Sequence, residues 1–411
     1  MKIKLEYKNN IDVPVPKKDE VLIRVKGAGV NNTDINTRTG WYSKSTTNDG
    51  GSWSGAPLKF PRIQGADVCG TIVAVGSEVK QSRIGERVIA RTMQTDPNNP
   101  EKFSCWTLGS ECDGAFAQYT IVRSSETFAI NCKWSDTELG SIPCSYSTAE
   151  GLLHRIKLKS EKIFINGASG GVGSAAIQLA KRRGAHITAQ CSSSKFNEIK
   201  KIGANEVVSR KTNLASELGK SKFDAVIDVV AGENWTQLLE ILKPGGRYAT
   251  SGAIAGPMVS LDVRTLYLKD LTFYGCTYQP VEVFRNLIRY IEKDEIKPLV
   301  SKTYPLEKIK HLIIPNKLYI RRLVLKEWIK GRTDIRFLKY LIDKNLNSLD
   351  VGAYKGVYTY FISKYSKKVY AFEPNPKSYK ILKKTVNKNV QVLPYALSDK
   401  SSFDFLKIPR G

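Results

Sequence analysis

Histidine is almost missing from this sequence: there are three in 411 residues, His154, His186 and His311, none spaced from another as metal ligands would be. A histidine-built metal centre is not expected. The seven cysteines (Cys69, Cys105, Cys112, Cys132, Cys144, Cys191, Cys276) are odd in number and form no Cys-x-x-Cys pair, which argues for reduced thiols and against a disulfide framework or a thiolate zinc lobe. Long apolar runs are absent too. No uncharged stretch approaches the ~20 residues needed to span a bilayer, and the opening "MKIKLEYKNN" lacks the apolar core of a secretory signal. A cytoplasmic protein without membrane partners is the expectation.

Acidic residues are scarce, 39 Asp and Glu against 64 Lys and Arg, leaving a net charge of +25. Such an excess invites a nucleic-acid reading. Residues 316–411 hold 21 Lys/Arg against 7 Asp/Glu, yet these lysines are dispersed between core-like apolar residues ("NPKSYKILKKTVNKN"), as on solvated helix faces. That spacing argues against a nucleic-acid binder, which stays as a rival class.

What is present divides the chain. Residues 11–122 read mostly as short β strands cut by glycine ("DEVLIRVKGAGV", "CGTIVAVG", "GERVIAR", "GAFAQYTIV"), a small barrel-like domain. Between them the polar, Gly-rich run "TRTGWYSKSTTNDGGSWSGAPLKFP" carries Trp41, Tyr42 and Trp53, as a surface loop or a lid over a cleft. From about 145 the period changes. Buried strands "KIFING", "HITAQC", "DAVIDVV" and "GGRYATSG" alternate with helices "STAEGLLHRI" and "GSAAIQLAKRRG", so the expected fold class is α/β with a doubly wound parallel sheet. Residues 279–310 read as a helix, a strand and the start of another helix; a basic amphipathic stretch and a second αβ alternation follow.

In "INGASGGVG" the fingerprint positions are Ala168, Gly170 and Gly173, after a strand and opening a helix. Gly170 lets the backbone approach a pyrophosphate, and Gly173 lets the helix pack on the strand. Ser169, Gly171 and Val172 complete the turn at a helix N-terminus that favours negative charge. An NAD-selective site places a carboxylate at the end of the second strand. This chain offers Cys191, Ser192, Ser193, Ser194 and Lys195 instead, which suits the 2′-phosphate of NADPH, unless the serines merely cap the next helix.

On these residues, residues 1 to about 310 resemble the medium-chain dehydrogenase/reductase superfamily, in its zinc-independent quinone oxidoreductase and enoyl reductase-like branch. The matching stretches are "PVPKKDEVLIRVKGAGVNNTDINTRTG", "FPRIQGADVCGTIVAVG", "IPCSYSTAEGLL", "NGASGGVGSAAIQLAK" and "LKPGGRYATSG". The resemblance implies a GroES-like β domain (1–125), a Rossmann NADP-binding domain (126–277), a return to the catalytic domain (278–310), a small-molecule substrate and commonly a homodimer. Zinc-dependent relatives carry a Cys where this chain has Asn31 and a His-Glu pair where it has Ala66 and Asp67, so no metal is expected. It also implies Asn31, Asp34 and Tyr42 on the substrate side, with Asn31 either a carbonyl partner or a brace for its loop. Thr148 and Gly252 would face the cofactor. The reaction implied is hydride transfer from NADPH to a quinone, an enone or a carbonyl.

In the tail, "LDVGAYKG" and "VYAFEPNP" place a glycine turn before a second strand ending in an acid. Residues from about 317 resemble the start of FkbM-type S-adenosylmethionine methyltransferases, which implies a basic helical connector (311–345), a partial methyltransferase-like domain (346–411), and Asp350, Gly352, Gly356, Glu373 and Asp399 at an S-adenosylmethionine site. Three strands are visible where such a sheet needs about seven. Independent methyl transfer is not expected, and the chain is expected to begin inside a β hairpin and to join pieces of two proteins near 311–317.

Overall fold

The structure is a computed structural model describing residues 5–42, 58–99, 101, 103–308, 338–354 and 356–396. The chain divides into two compact units, Met1–Ile309 and Lys310–Gly411. Trp53, Asp399 and most of the expected basic connector lie outside the described residues.

In the first unit β1 (Glu20–Gly27) is followed by α1 (Asn32–Thr39), β2 (Cys69–Val75), β3 (Arg87–Ala90), β4 (Met93–Gln94), β5 (Trp106–Thr107), β6 (Tyr119–Arg123) and β7 (Thr127–Ala129). Five of these form an antiparallel sheet in the order β6-β1-β2-β3-β7, and β4 pairs with β5. Its inward residues, Val21, Ile23, Val68, Ile72, Val88 and Val122, make a dry core, as the period-2 pattern of "EVLIRV" requires. The helix α1 was not expected, because "NTDINTRT" is poor in helix formers. Its ends supply what propensity does not: the Asp34 carboxylate accepts the Asn31 N–H at 2.8 Å, and Gly40 closes the helix in the left-handed region.

After α2 (Asp136–Leu139) and α3 (Pro143–Arg155) the chain enters β8 (Lys162–Asn166), α4 (Gly171–Arg182), β9 (His186–Cys191), α5 (Phe196–Lys201), β10 (Glu206–Ser209), α6 (Leu214–Leu218), β11 (Phe223–Asp228), α7 (Trp235–Glu240), β12 (Leu242–Thr250), α8 (Val263–Leu268), β13 (Thr272–Gly275) and α9 (Val281–Glu292). The six strands run parallel in the order β10-β9-β8-β11-β12-β13. That order reverses at β8, and the crevice beyond the carboxyl ends of β8 and β11 is where such sheets bind ligands. One core runs from Cys69 and Ile89 through α3 and α4 to Phe284 and Ile291 on α9.

The strand expected within 279–310 is not formed among the described residues. Lys297 shows why. Its N–H goes to Gln178 Oε1 and its carbonyl accepts from Tyr146 and Gln178, so side chains of α3 and α4 hold backbone that a strand partner would need.

The second unit has β14 (Asn347–Val351), α10 (Val357–Tyr365), β15 (Lys368–Phe372), α11 (Pro376–Thr385) and β16 (Val390–Leu393), with the three strands parallel in chain order. Its small core is Ala353, Ala371 and Leu382 with Val386, Val390 and Val392. No helix among the described residues is long and apolar enough to cross a membrane.

Candidate active site

The glycine turn opens where β8 ends. Gly167, not among the fingerprint positions read from sequence, takes φ +78°, a left-handed geometry in which a side chain would also press on Val230 Cγ2 at 2.8 Å. A Cβ at Gly173 would sit 2.3 Å from the Gly167 carbonyl, so α4 can start only on a bare backbone. Gly170 differs: a Cβ there would meet nothing nearer than 3.5 Å. Packing does not demand that glycine, and its bareness leaves the N-terminus of α4 open to an approaching group. Ser169, Gly170 and Gly171 are exposed, Val172 is half-buried, Ala168 is buried beneath them, and the first turn of α4 carries no acid. Such a terminus, with free N–H groups and the positive end of the helix dipole, fits a pyrophosphate.

Asp228, at the end of β11 and wholly buried, braces this crevice. It accepts hydrogen bonds from Asn166 Nδ2, from the N–H groups of Val230 and Ala231, and from the Tyr248 hydroxyl at 2.7 Å. The residue before the turn and the loop opposite are thus tied to one carboxylate. Gly252 lies against that loop, 3.3 Å from the Val229 carbonyl by the position a Cβ would take. Ser145 on α3 borders Gly171, and Thr148, half-buried one turn on, accepts from Gln279 Nε2 at 3.4 Å. Gln279 is fixed in turn: its carbonyl accepts from Arg91, whose guanidinium is paired with Glu126 at 2.7 Å in the interior.

At the end of β9, Ser192 and Ser194 hydroxyls lie 3.3 Å apart and Ser193 opens a short turn; none caps it through a side chain. Lys195 pairs with both oxygens of Glu198 at the surface, at 2.8 and 2.7 Å. Arg210 was missed by the sequence reading. Register brings it in: its N–H donates to the Cys191 carbonyl, and its charge offsets part of the upward push of burial on the Cys191 thiol.

The substrate-side residues gather around two buried carboxyls. Asp34 accepts from the N–H groups of Asn31 and Ala66, and Asp67 accepts from Asn31 Nδ2 at 2.8 Å, the Cys144 N–H at 2.6 Å and Thr92 Oγ1 at 3.3 Å. Burial raises both, each to about 7, against these hydrogen bonds, which favour the charged form. Arg38, its own basicity lowered by burial, helps to hold Asp34 charged. Tyr42 accepts from Asn36 Nδ2 at 3.4 Å, and burial lifts its phenol to about 12. Asn31 and Tyr42 thus stand near Cys144 and α3, whereas the Asp34 oxygens serve the turn. Among the described residues no group of three His, Cys, Asp or Glu side chains is placed to hold a metal ion.

In the second unit Gly352 and Gly356 are left-handed, and Glu373 accepts the N–H groups of Tyr354, between them, at 2.6 Å and of Asn375 at 2.8 Å. Asp350 accepts from the Thr359 hydroxyl, and burial raises it above the usual carboxylate range.

The family model for the alcohol dehydrogenase GroES-like domain matches residues 17–131, and that for zinc-binding dehydrogenases matches residues 171–293. A chloroplastic quinone-oxidoreductase homolog of Spinacia oleracea is 29% identical over 315 residues, 72% of this chain and 86% of its own length. The quinone oxidoreductase of Homo sapiens is 27% identical over 319 residues, 74% of this chain and 87% of its own. A candidate alcohol dehydrogenase of Sinorhizobium meliloti 1021, known from its crystal structure, is 40% identical with a TM-score of 0.71, covering 75% of this chain and 88% of that one. Two lobes, an open glycine turn at the switch point and these relatives agree: the chain belongs to the medium-chain dehydrogenase/reductase superfamily and is an oxidoreductase of the nicotinamide-using kind.

Proposed function

We propose that this protein is a zinc-independent, NADPH-dependent oxidoreductase that reduces a quinone, an enone or a related carbonyl compound. The observation that carries the cofactor choice is the end of β9, where three serines and Lys195 follow Cys191, the Arg210 backbone bonds to the Cys191 carbonyl, and the next carboxylate, Glu198, is turned onto Lys195. Hydroxyls and a guanidinium recognise a phosphate; a carboxylate would be needed for bare ribose hydroxyls. The turn Ala168–Gly173, with Thr148 and Gly252, would hold the dinucleotide, which supplies a hydride when bound.

Asn31 gives one amide hydrogen to Asp67 and keeps the other to donate to a substrate oxygen. Tyr42 borders the same site, and its raised basicity keeps it a donor at neutral pH. Without thiolate or imidazole at Asn31 and Ala66, hydrogen bonds carry the polarisation that zinc supplies in other members. Names of relatives such as quinone oxidoreductase support the substrate class. The same reading keeps domain limits at about 125, 277 and 310.

Tryptophan fluorescence titration with NADPH and NADH tests the cofactor choice. The full chain should bind NADPH the more tightly, and Arg210→Ala should cost about tenfold in NADPH affinity, a charge-assisted hydrogen bond, with NADH unchanged. Equal loss for both cofactors would sink the assignment.

We also propose a homodimer through the β13 edge. In the segment between β12 and that strand, Ile254, Met258, Val263, Tyr267 and Leu268 are exposed, a concentration of apolar side chains unusual for a free monomer. Light scattering should give twice the chain mass, and Leu268→Lys should shift it toward the monomer; an unchanged mass would place the contact elsewhere.

A further inference from the structure

Asp67 lies just before β2, has no exposed surface, and touches elements that carry different parts of the chemistry. One oxygen, Oδ2, accepts from the Asn31 amide at the start of α1. The other accepts from the Cys144 N–H in the first turn of α3, and from Thr92 between β3 and β4. Room is kept for it: a Cβ at Gly29 would stand 2.4 Å from Oδ2. Asn31 Nδ2 and the Cys144 N–H can only donate, while the Thr92 hydroxyl divides its one proton between Asp67 and the nearer Ala66 carbonyl at 2.9 Å. An ionised carboxylate satisfies all of them, and the free N–H groups of a helix start favour a negative charge; a carboxyl protonated on Oδ2 must turn the Asn31 donor away.

We propose that ionised Asp67 is a positioning residue that fixes the direction of the Asn31 amide and ties it to α3, and that protonation of Asp67 lets that amide turn over. The proposal rests on the reading above in that Asn31 meets the substrate. With Asp67 charged, one Asn31 N–H is held and polarised, and the other faces outward as a donor. With Asp67 protonated on Oδ2, the O–H needs an acceptor on that side, and the amide oxygen of Asn31 is the adjacent one; Thr92 Oγ1 faces only the other oxygen. The substrate oxygen then loses its donor.

The charged and titratable groups around Asp67 set the pH of this change. Asp34 on α1 raises it by repulsion, Arg38 stands behind Asp34, and the Cys144 thiol and Tyr42 phenol are held neutral by burial. Burial is the largest influence and carries Asp67 up to about 7. The turnover of the amide therefore falls near neutrality, not in acid.

The test is the side-chain amide region of the nitrogen–proton spectrum of the full chain between about pH 5.5 and 8.5, with the Asn31 pair assigned by its loss in Asn31→Ala. The pair should move with a midpoint near 7 and should stay still in Asp67→Asn. In parallel, kcat for NADPH-driven reduction of 1,4-benzoquinone should fall by about tenfold below that midpoint, with the KM for NADPH unchanged, and the profile should be flat and low in Asp67→Asn. A pair that never moves, or moves alike in Asp67→Asn, overturns the proposal. Movement without any reduction of benzoquinone or of an enone supports the positioning contact and overturns the proposed reaction instead. Should Asp67→Asn not fold, Thr92→Val replaces it: losing a donor to the charged form moves the midpoint upward, and an unmoved midpoint excludes Asp67 as the titrating group.

Discussion

Two glycine turns follow two parallel strands in this chain, one after β8 and one after β14, and their surroundings differ. The first sits on a strand with neighbours on both sides, β9 and β11, at the point where the sheet reverses its winding. Among the described residues the second sits on a strand that pairs only with β15, and Leu349 and Val351 are exposed at 62% and 59%. The acids differ in where they grip. Asp228 ties the side chain of Asn166, just before the first turn, and the Tyr248 hydroxyl to the loop after β11, whereas Glu373 accepts the Tyr354 N–H inside the second turn itself and the Asn375 N–H two residues further on. The first turn is thus held open by an interior strand and a brace to a second loop, whereas among the described residues the second turn is held by one neighbouring strand and by a carboxylate bonded to its own backbone.

The largest effect that sharpens this contrast is steric. Gly173→Val places a side chain on backbone at 2.3 Å, so it should destabilise the first unit by about 3 kcal/mol or more and abolish NADPH binding. Gly352→Ala meets nothing within 4 Å and carries only the left-handed penalty, about 1 kcal/mol, confined to the second unit. Thermal unfolding and NADPH titration of both variants check this; equal losses of binding would break the comparison.

A medium effect concerns pH. Asp34 titrates near 7 when folded, by burial, and near its ordinary value of about 3.9 when unfolded. Between those values the folded protein holds the proton that the unfolded chain has released. Stability is therefore greatest below about pH 4 as far as this group is concerned, and falls as pH rises toward 7. Asp67 acts in the same direction. Melting temperatures from pH 4.5 to 8 should decline more steeply in the native protein than in Asp34→Asn, whose neutral amide has no proton to lose; parallel curves would contradict it.

Much of this was readable in the letters because the information is local. "KIFINGASGGVGSAAIQLAK" carries strand, turn and helix in one stretch, and the periods alone place the sheet. Even there the left-handed residue is Gly167, one place before Ala168, because only the backbone angles distinguish two small neighbours. What was not readable came from pairing between distant segments. Arg210 reaches Cys191 through β10 beside β9, and Asp67, read only as a missing zinc neighbour, meets Cys144 across 77 positions. The helix α1 depends on its caps, and the unformed strand near Lys297 on two side chains from other helices.

The smallest effect belongs to the second unit and bears on the methyltransferase resemblance. A carboxylate that holds a nucleoside offers its oxygens to ribose hydroxyls, and each oxygen of Glu373 already spends one of its two lone pairs on a backbone N–H group. Glu373→Gln should loosen the turn by about 1 kcal/mol, since an amide can accept at one atom only, and its nitrogen then faces an N–H donor. Equilibrium dialysis of the full chain with labelled S-adenosylmethionine should retain no more label in the native protein than in Glu373→Gln, and NADPH affinity should be the same in both. Retention by the native chain that the substitution removes would show that the second turn binds after all, and the contrast between the two turns would have to be drawn from their ligands instead of from their place in the sheet.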